Sequence, residues 1–293
     1  MTDLDMLPFE VQHHATMVGD RSRLEAYQAA LRAVVRDGDR VVDAGTGTGV
    51  LISYAAALTR GAVYGIEYFP AAAALADRMV RAAGMSNALI LNENVFHASV
   101  DAPDVVVTET IGALGPEENI VELTHNFLQR HPSVRRLIPS KLSIYAVPVR
   151  SDVVETVTER FLRSFSAASH DRFSYDAIMD DLRYHVGRHL FTTDLSQAAV
   201  LGEETLLVAY DLGRTENSAF DATVRVPPGG ANAVHLFFRC QLADDVLLES
   251  RLSAPPNHWR HSFVAIPPGF DTLHVHYRRA RFVFTWSDSG NGG

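Results

Sequence analysis

The first half of the chain alternates short apolar runs with segments of helical character. The apolar runs are RVVDAG at 40–45, AVYGIEY at 62–68, ALILNEN at 88–94 and DVVVTET at 104–110. The segments that predict helices between them are GVLISYAAALT at 49–59 and PAAAALADRMVRAAG at 70–84. Apolar runs of this length, bounded by turn residues, are typical of buried strands. Their alternation with helices predicts an α/β fold with a parallel, doubly wound sheet of the Rossmann-like kind.

The pattern changes after residue 139, where strand-like runs follow one another with turn residues between them. These runs start at residues 142, 204, 221, 233, 246, 261, 272 and 281. Their succession predicts an antiparallel β-barrel or sandwich. The segment 157–186 interrupts this pattern, because it is helical and amphipathic.

These patterns predict three parts of the chain. We expect a Rossmann-like domain at 1–139 and a β-barrel domain at 140–286 with a helical arm at about 159–185. The tail SDSGNGG at 287–293 is expected to be disordered.

Composition narrows the possible functions. The 293 residues carry a formal net charge of −9, which argues against a nucleic-acid-binding face. Cys240 is the only cysteine, so neither an internal disulfide nor a multi-cysteine metal site is expected. The acidic start MTDLDMLPFE does not resemble a signal peptide, and no apolar run approaches a membrane span. We therefore expect a cytoplasmic protein without membrane or metal partners, and its arginine-rich composition indicates a bacterium with a GC-rich genome.

A glycine-rich turn follows the first predicted strand. Gly45, Gly47 and Gly49 stand between that strand and a helix, directly after Asp43. Glycines there allow a ligand to approach the backbone, and Glu67 at the end of the next strand can accept both ribose hydroxyls. Because the spacing is G-x-G-x-G and not the dinucleotide pattern, we expect S-adenosylmethionine as cofactor. The alternative is that the glycines only permit a sharp turn.

Three separated motifs resemble those of protein arginine N-methyltransferases, which are class I methyltransferases. HATMVGDRSRLEAY resembles the start of that family at five positions: His14, Met17, Asp20, Arg23 and Tyr27. TETIGALGPEE is similar to the family's double-glutamate loop, and NHWRHSFVAI is similar to its threonine–histidine–tryptophan loop. The resemblance implies the predicted fold, the cofactor and a β-barrel with a dimerisation arm.

Two acids in the double-glutamate loop suit a guanidinium substrate. Two carboxylates that approach this planar cation from different sides can hold it and leave one nitrogen facing an activated methyl group. Orientation of this kind can remove about 7–11 kcal/mol of an activation barrier at best. Glu109 is one candidate, and chemistry alone leaves Glu117 and Glu118 open for the other. The family spacing favours Glu118.

The resemblance also implies roles for residues outside that loop. Asp20 and His258 would form a hydrogen-bonded pair beside the carboxylates, which removes a proton or only keeps the two domains in register. Arg23 would bind the methionyl carboxylate of the cofactor, with His14 and Met17 packed nearby. The alternatives are a surface position for Arg23 and core packing for Met17.

Several positions depart from the family pattern. Val95 would lie beside the adenine, but Phe96 replaces the acid that usually follows it. Thr110 and Ile111 replace the family's Trp-Met, and Asn257 replaces the threonine. The N-terminal segment is short and lacks the family's tyrosine-rich stretch.

We therefore expect methyl transfer to a guanidino nitrogen. Free arginine or a guanidine-bearing metabolite of antibiotic biosynthesis is the first expectation, and a protein or peptide arginine is the alternative. An oxygen or carbon acceptor and a non-catalytic binding protein are further alternatives. The segment FSYDAIMDDL resembles the family's dimerisation arm in position, which predicts a homodimer; packing within the barrel would explain the same apolar residues.

Overall fold

A computed structural model describes residues 16–166 and 175–288. Within these ranges, no helix is both long enough and apolar enough to cross a membrane. Phe173, in the predicted dimerisation arm, lies outside the described residues.

The first part of the chain is built on a five-stranded parallel sheet. Its strands are β1 (Val41–Ala44), β2 (Val63–Ile66), β3 (Ala88–Leu91), β4 (Val105–Thr108) and β5 (Arg136–Ile138). Its helices are α1 (Arg21–Val34), α2 (Val50–Ala56), α3 (Pro70–Ala82) and α4 (Ile120–Arg130), with a short 3-10 helix at Pro116–Glu118. The strand order is β3-β2-β1-β4-β5. This is the predicted parallel sheet with helical crossovers, so that prediction is confirmed.

The register of the central strands brings three chain segments to one edge of this sheet. Ala44 at the end of β1 pairs with Ile66 of β2 and with Thr108 of β4. The residues that follow these three strand ends are Gly45, Glu67 and Glu109. Ligands of open α/β sheets bind at the carboxyl ends of the strands, where the order reverses. Here that edge collects the glycine turn and two of the predicted acids.

The second part of the chain is antiparallel. Its strands are β6 (Lys141–Arg150), β7 (Leu190–Thr193), β8 (Ala199–Val200), β9 (Thr205–Asp211), β10 (Phe220–Arg225), β11 (Ala233–Ala243), β12 (Val246–Glu249), β13 (His261–Ala265), β14 (Thr272–Arg278) and β15 (Arg281–Ser287). One sheet has the order β7-β13-β11-β6-β8, with β12 beside β11 and β9 beside β6. A smaller sheet has the order β10-β14-β15.

Two helices stand where the sequence predicts the arm. They are α5 (Asp152–Ser166) and α6 (Met179–Val186), and a 3-10 turn at Tyr175–Ile178 precedes α6. Val154 and Leu162 of α5 are buried in a cluster with Phe191 and Phe263 of the larger antiparallel sheet. One face of α5 therefore packs on its own barrel.

The two parts of the chain share one hydrophobic core. Helix α1 packs against β11 and β12 of the antiparallel sheet and against α2 of the first part. Tyr27 and Leu31 of α1 are fully buried in the same cluster as Phe238 and Trp259 of the second part. This shared core holds the carboxyl edge of the parallel sheet against the barrel.

The eight strand-like runs predicted beyond residue 139 all occur as strands. The sequence did not predict α4, β5, β7 or β8. Strands β5, β7 and β8 have only three, four and two residues, too few for a clear alternating pattern. The last strand also includes Ser287, the first residue of the predicted tail.

The buried position of Phe127 gives a direct stability prediction. Phe127 is 1% exposed between α4 and the parallel sheet, whereas Leu247 on β12 is 52% exposed. Phe127→Ala removes buried apolar surface and leaves a cavity, so the free energy of unfolding should fall by about 3–5 kcal/mol. Leu247→Ala is the control and should change it by less than about 0.5 kcal/mol. Urea unfolding followed by circular dichroism measures both; equal effects would contradict the assigned core.

Candidate active site

The glycine turn connects β1 to α2 and is held by backbone hydrogen bonds to β2. Gly45 has a φ of 82°, and a Cβ there would lie 2.9 Å from Cγ2 of Thr110. Its amide donates to the carbonyl oxygen of Ile66 at 2.9 Å. Both the left-handed backbone and the close approach require glycine at this position. Gly47 and Gly49 complete the turn, with φ values of 55° and 86°.

Asp43, at the end of β1, supports this turn through a hydrogen bond to Thr46. Its Oδ2 accepts a hydrogen bond from the Thr46 hydroxyl at 2.5 Å, while its buried Oδ1 has no hydrogen-bond partner in the part of the chain that the structure describes. Burial raises the pKa of Asp43 to about 7, although the Thr46 hydrogen bond opposes the shift. The structure thus places Asp43 under the glycine turn, where it orders the backbone.

Glu67 lies at the end of β2, facing the glycine turn. One carboxylate oxygen accepts the Gly47 amide at 2.9 Å, and the other accepts the Phe69 amide at 2.8 Å. Each carboxylate oxygen has a second lone pair, so both can accept a further donor such as a hydroxyl. The two backbone bonds fix the carboxylate in place.

The loop after β3 holds Val95 and is tied down by an arginine that the sequence analysis missed. Val95 is buried, and its carbonyl oxygen accepts a hydrogen bond from Arg130 of α4 at 2.6 Å. Arg130 also donates to the Ala98 carbonyl and, at 3.1 Å, to Asn126. No motif marks Arg130, because its role depends on α4 packing beside this loop.

Asp20 joins the start of α1 to the barrel. Its Oδ1 caps the helix by accepting the Arg23 amide at 3.0 Å. Its Oδ2 accepts both the backbone amide and Nδ1 of His258, each at 2.8 Å. Burial raises the pKa of Asp20, but the hydrogen bonds from His258 and Arg23 outweigh it and lower the pKa to about 2. The expected pair of Asp20 and His258 is therefore present as a hydrogen-bonded contact.

Arg23 is buried and faces the parallel-sheet edge, not the protein surface. Its guanidinium forms an ion pair with Glu109 and donates to the Met17 carbonyl oxygen at 3.0 Å. Its Nε is buried and has no hydrogen-bond partner among the described residues. A buried donor without a partner is costly, so this atom is free to bind an anionic ligand. His14, its predicted neighbour, lies outside the described residues.

Glu109 follows β4 and is almost completely buried. Burial raises its pKa to about 8; the Arg23 guanidinium opposes this shift, and the charge of Glu118 adds to it. The effect of Glu118 means that the two carboxylates lie within electrostatic reach of each other. The register of β1 and β4 places Glu109 next to the glycine turn.

The structure distinguishes Glu118 from Glu117. Glu117 points into its own loop, where its carboxylate accepts the Leu114 amide at 2.9 Å. Glu118 keeps contact with solvent, yet burial by surrounding protein raises its pKa to about 7, with the charge of Glu117 adding to the shift. A side chain at the rim of a recess has both properties. Glu118 is therefore the acid of this pair that is exposed to solvent, and its charge reaches Glu109.

Two aromatic side chains hold the double-glutamate loop on either side. Trp259 Nε1 donates to the Ile111 carbonyl oxygen at 2.8 Å, and Tyr27 donates to the Thr108 carbonyl oxygen at 2.9 Å. The His258 ring contacts the Trp259 ring in a tilted arrangement, with 3.8 Å between centroids. Both aromatics belong to quoted motifs, but only the fold reveals which carbonyl groups they bind.

The assembled site consists of a glycine turn beside Glu109, with the Glu118 carboxylate within electrostatic reach of Glu109. A carboxylate–histidine pair and a buried arginine with one free donor lie at its border. Among the residues that the structure describes, no cluster of three histidine, cysteine, aspartate or glutamate side chains could hold a metal ion. The carboxylates can bind a cation, and the free arginine donor can bind an anion.

Comparison with known protein sequences gives arginine methyltransferases among the relatives. No family model matches the chain. A probable protein arginine N-methyltransferase 6 of Arabidopsis thaliana is 29% identical over 157 residues, which are 50% of this chain and 36% of the plant protein. An arginine N(omega)-methyltransferase of Streptomyces achromogenes subsp. streptozoticus is 24% identical over 266 residues, which are 86% of this chain and 70% of that protein. The chain thus matches little more than a third of the plant relative.

Comparison with solved structures extends the similarity to nearly the whole chain. The Trypanosoma brucei PRMT1 enzyme–prozyme heterotetrameric complex with AdoHcy contains a chain with a TM-score of 0.76 and 16% identity. The match covers 96% of this chain and 95% of that one. Protein arginine methyltransferase 10 of Arabidopsis thaliana gives a TM-score of 0.72 at 16% identity, covering 97% and 95%.

These matches confirm the resemblance inferred from the three sequence motifs. They also confirm the predicted fold, in which a parallel part is followed by an antiparallel part. The chain is therefore related in sequence to the protein arginine N-methyltransferases and has their fold.

Proposed function

We propose that the protein is an S-adenosylmethionine-dependent methyltransferase that acts on a guanidino nitrogen. The observation that carries this proposal is the pair of carboxylates, Glu109 and Glu118, at the carboxyl edge of the sheet beside the glycine turn. A neutral oxygen or carbon acceptor does not need two anions in a partly buried recess. The similarity to arginine methyltransferases supports the same acceptor.

The residues at the sheet edge fit the proposed cofactor. The Nε of Arg23 offers a buried donor to a carboxylate, and Glu67 offers acceptors to ribose hydroxyls. Gly45 leaves room for close approach to the backbone, and Val95 lies on the loop proposed for the adenine. When bound, S-adenosylmethionine supplies a methyl group activated by its sulfonium charge.

The carboxylates would orient the acceptor. Glu109 is fixed by Arg23, and Glu118 stands at the solvent side of the same recess. Held between them, a guanidinium keeps its plane fixed, and its positive charge is drawn toward the bound nitrogens. The remaining nitrogen then keeps more of its lone pair for attack, and its alignment lowers the entropic part of the barrier.

Asp20 and His258 would carry off the proton that the guanidinium loses during methyl transfer. A guanidinium has a pKa above about 12, so its proton leaves only as the new nitrogen–carbon bond forms. The hydrogen bonds from His258 to Asp20 fix the orientation of the imidazole ring. This pair also connects α1 to the barrel, so its second role is to keep the two parts in register.

Free arginine or a small guanidine metabolite is the proposed acceptor. The Streptomyces relative, an arginine N(omega)-methyltransferase, matches 86% of this chain, more than the 50% matched by the plant relative. A place in the biosynthesis of a guanidine-containing antibiotic is part of this proposal. The second candidate is an arginine in a protein or peptide, which the structural similarity to PRMT chains favours.

We also propose that the protein forms a homodimer through α5 and α6. Val153 of α5 and Ile178 beside α6 are exposed apolar side chains, 36% and 43% accessible. Such exposed apolar residues on the arm are available to a second copy, in addition to the face that packs on the barrel.

Methyl transfer to arginine, agmatine and an arginine-rich peptide tests the acceptor and the role of Glu118. The wild-type protein should methylate at least one of them. Glu118→Gln keeps the shape but removes one charge, so kcat/KM should fall by on the order of 100-fold or more. Affinity for S-adenosylhomocysteine should stay within about 3-fold, because Glu118 lies on the acceptor side.

Glu216→Gln, at an exposed position, is the matched control and should behave as the wild type. Cofactor binding without methylation of any guanidine acceptor would overturn the acceptor assignment. An active Glu118→Gln variant would remove Glu118 from the clamp.

The raised pKa values predict the pH dependence of the reaction. Both acids must lose their protons to bind a cation, and burial raises the pKa of Glu118 to about 7 and of Glu109 to about 8. The value of kcat/KM should therefore rise from about pH 6 to about pH 9 and then level off. Cofactor affinity measured over the same range separates this effect from cofactor binding. A flat profile, or one that falls over this range, would contradict the prediction.

A further inference from the structure

Glu117 is a half-buried acid with a buried carboxylate oxygen, and the clamp does not use it. It is part of the 3-10 helix Pro116–Glu118, one residue before Glu118. Its Oε1 accepts the Leu114 amide, closing a turn of the loop on itself. The same loop is braced by two reciprocal backbone bonds between Gly112 and Gly115, at 2.9 and 3.1 Å.

Gly112 makes room for the Glu117 carboxylate. A Cβ at Gly112 would lie 2.6 Å from Oε2 and 2.8 Å from Cβ of Glu117. Any side chain at Gly112 would therefore push Glu117 out of its position. Gly115 in turn packs against Leu142 of β6, where an added Cβ would lie 3.0 Å away. The loop is thus packed closely on two sides: Gly112 against the Glu117 side chain, and Gly115 against the barrel.

A buried polar cluster anchors this arrangement on the barrel side. Glu122 of α4 accepts both the amide and the hydroxyl of Ser218, at 2.8 and 2.6 Å. Tyr210 donates to the Ser218 carbonyl oxygen at 2.6 Å. Burial raises the pKa of Tyr277, and the charges of Glu117 and Glu122 add to this shift, so these groups lie close together. The cluster connects α4 to the barrel, within electrostatic reach of Glu117.

We propose that Glu117 is a positioning residue that fixes the direction of the Glu118 carboxylate by holding loop 112–118 against the barrel. Glu117 and Glu118 are consecutive in a 3-10 helix that starts at Pro116. The position of the Glu117 side chain therefore determines the direction of the Glu118 side chain. The proposal rests on the proposed function, because it assigns Glu118 to the clamp. It explains why two adjacent acids occur here although only one faces the recess.

Two substitutions separate the accepting oxygen from the charge. Glu117→Ala removes the acceptor of the Leu114 amide, so kcat/KM should fall by about 10-fold or more with cofactor affinity unchanged. Glu117→Gln keeps an accepting oxygen in the same place, and it should restore the rate to within about 3-fold of the wild type. Glu203→Ala removes an exposed carboxylate and is the control for lost charge. Unfolding temperatures confirm that each variant is folded.

Hydrogen exchange gives a readout that does not depend on activity. A peptide covering residues 112–118 should exchange faster in Glu117→Ala, and at the wild-type rate in Glu117→Gln. Gly112→Ala should reproduce the loss, and its further effect in the Glu117→Ala background should be smaller than in the wild type. If wild-type protein methylates no guanidine while this exchange pattern holds, the proposed function fails and the loop assignment stands. Unchanged exchange or unchanged kcat/KM in Glu117→Ala, or an equally impaired Glu117→Gln, would overturn the assignment.

Discussion

The negative charges of two carboxylates within electrostatic reach of each other, Glu109 and Glu118, are the constraint on which the rest of the site depends. Burial raises the pKa of both acids, and the charge of Glu118 raises that of Glu109 further. Only a cation placed between them relieves this repulsion fully. The fold tolerates the arrangement because Arg23 neutralises the more buried acid, Glu109, from the side of α1. In the proposed function, the charge of the two acids favours a cationic acceptor over a neutral one.

The surrounding structure maintains this recess from several directions. Parallel register at the sheet edge places Glu109 beside the glycine turn, whereas Glu118 depends on a loop held by Tyr27 and Trp259. The Asp20–His258 pair joins α1 to the barrel at the same point. Because both parts of the chain contribute to one hydrophobic core, their relative position is set by packing. Rigid support of this kind is what an orienting site requires.

The sequence predicts the parts of the site that repeat a local pattern. Strand ends and the glycine turn follow from apolar runs and glycine spacing, and the motif spacing favours Glu118. Other features depend on contacts between distant segments. Arg130 binds the Val95 loop only because α4 packs beside it, and Glu122 meets Ser218 across the interface between the two parts. The burial of Glu117 depends on the absence of a side chain at Gly112. No periodicity in the chain encodes these pairings.

The most direct measurement compares the best guanidine acceptor with its urea counterpart, such as arginine with citrulline. The two have nearly the same shape, but only the guanidine carries the positive charge that two carboxylates would hold. If this charge is what the recess recognises, the guanidine should be methylated and the urea should show no detectable turnover or competitive binding. Equal binding or equal methyl transfer to both would contradict the account.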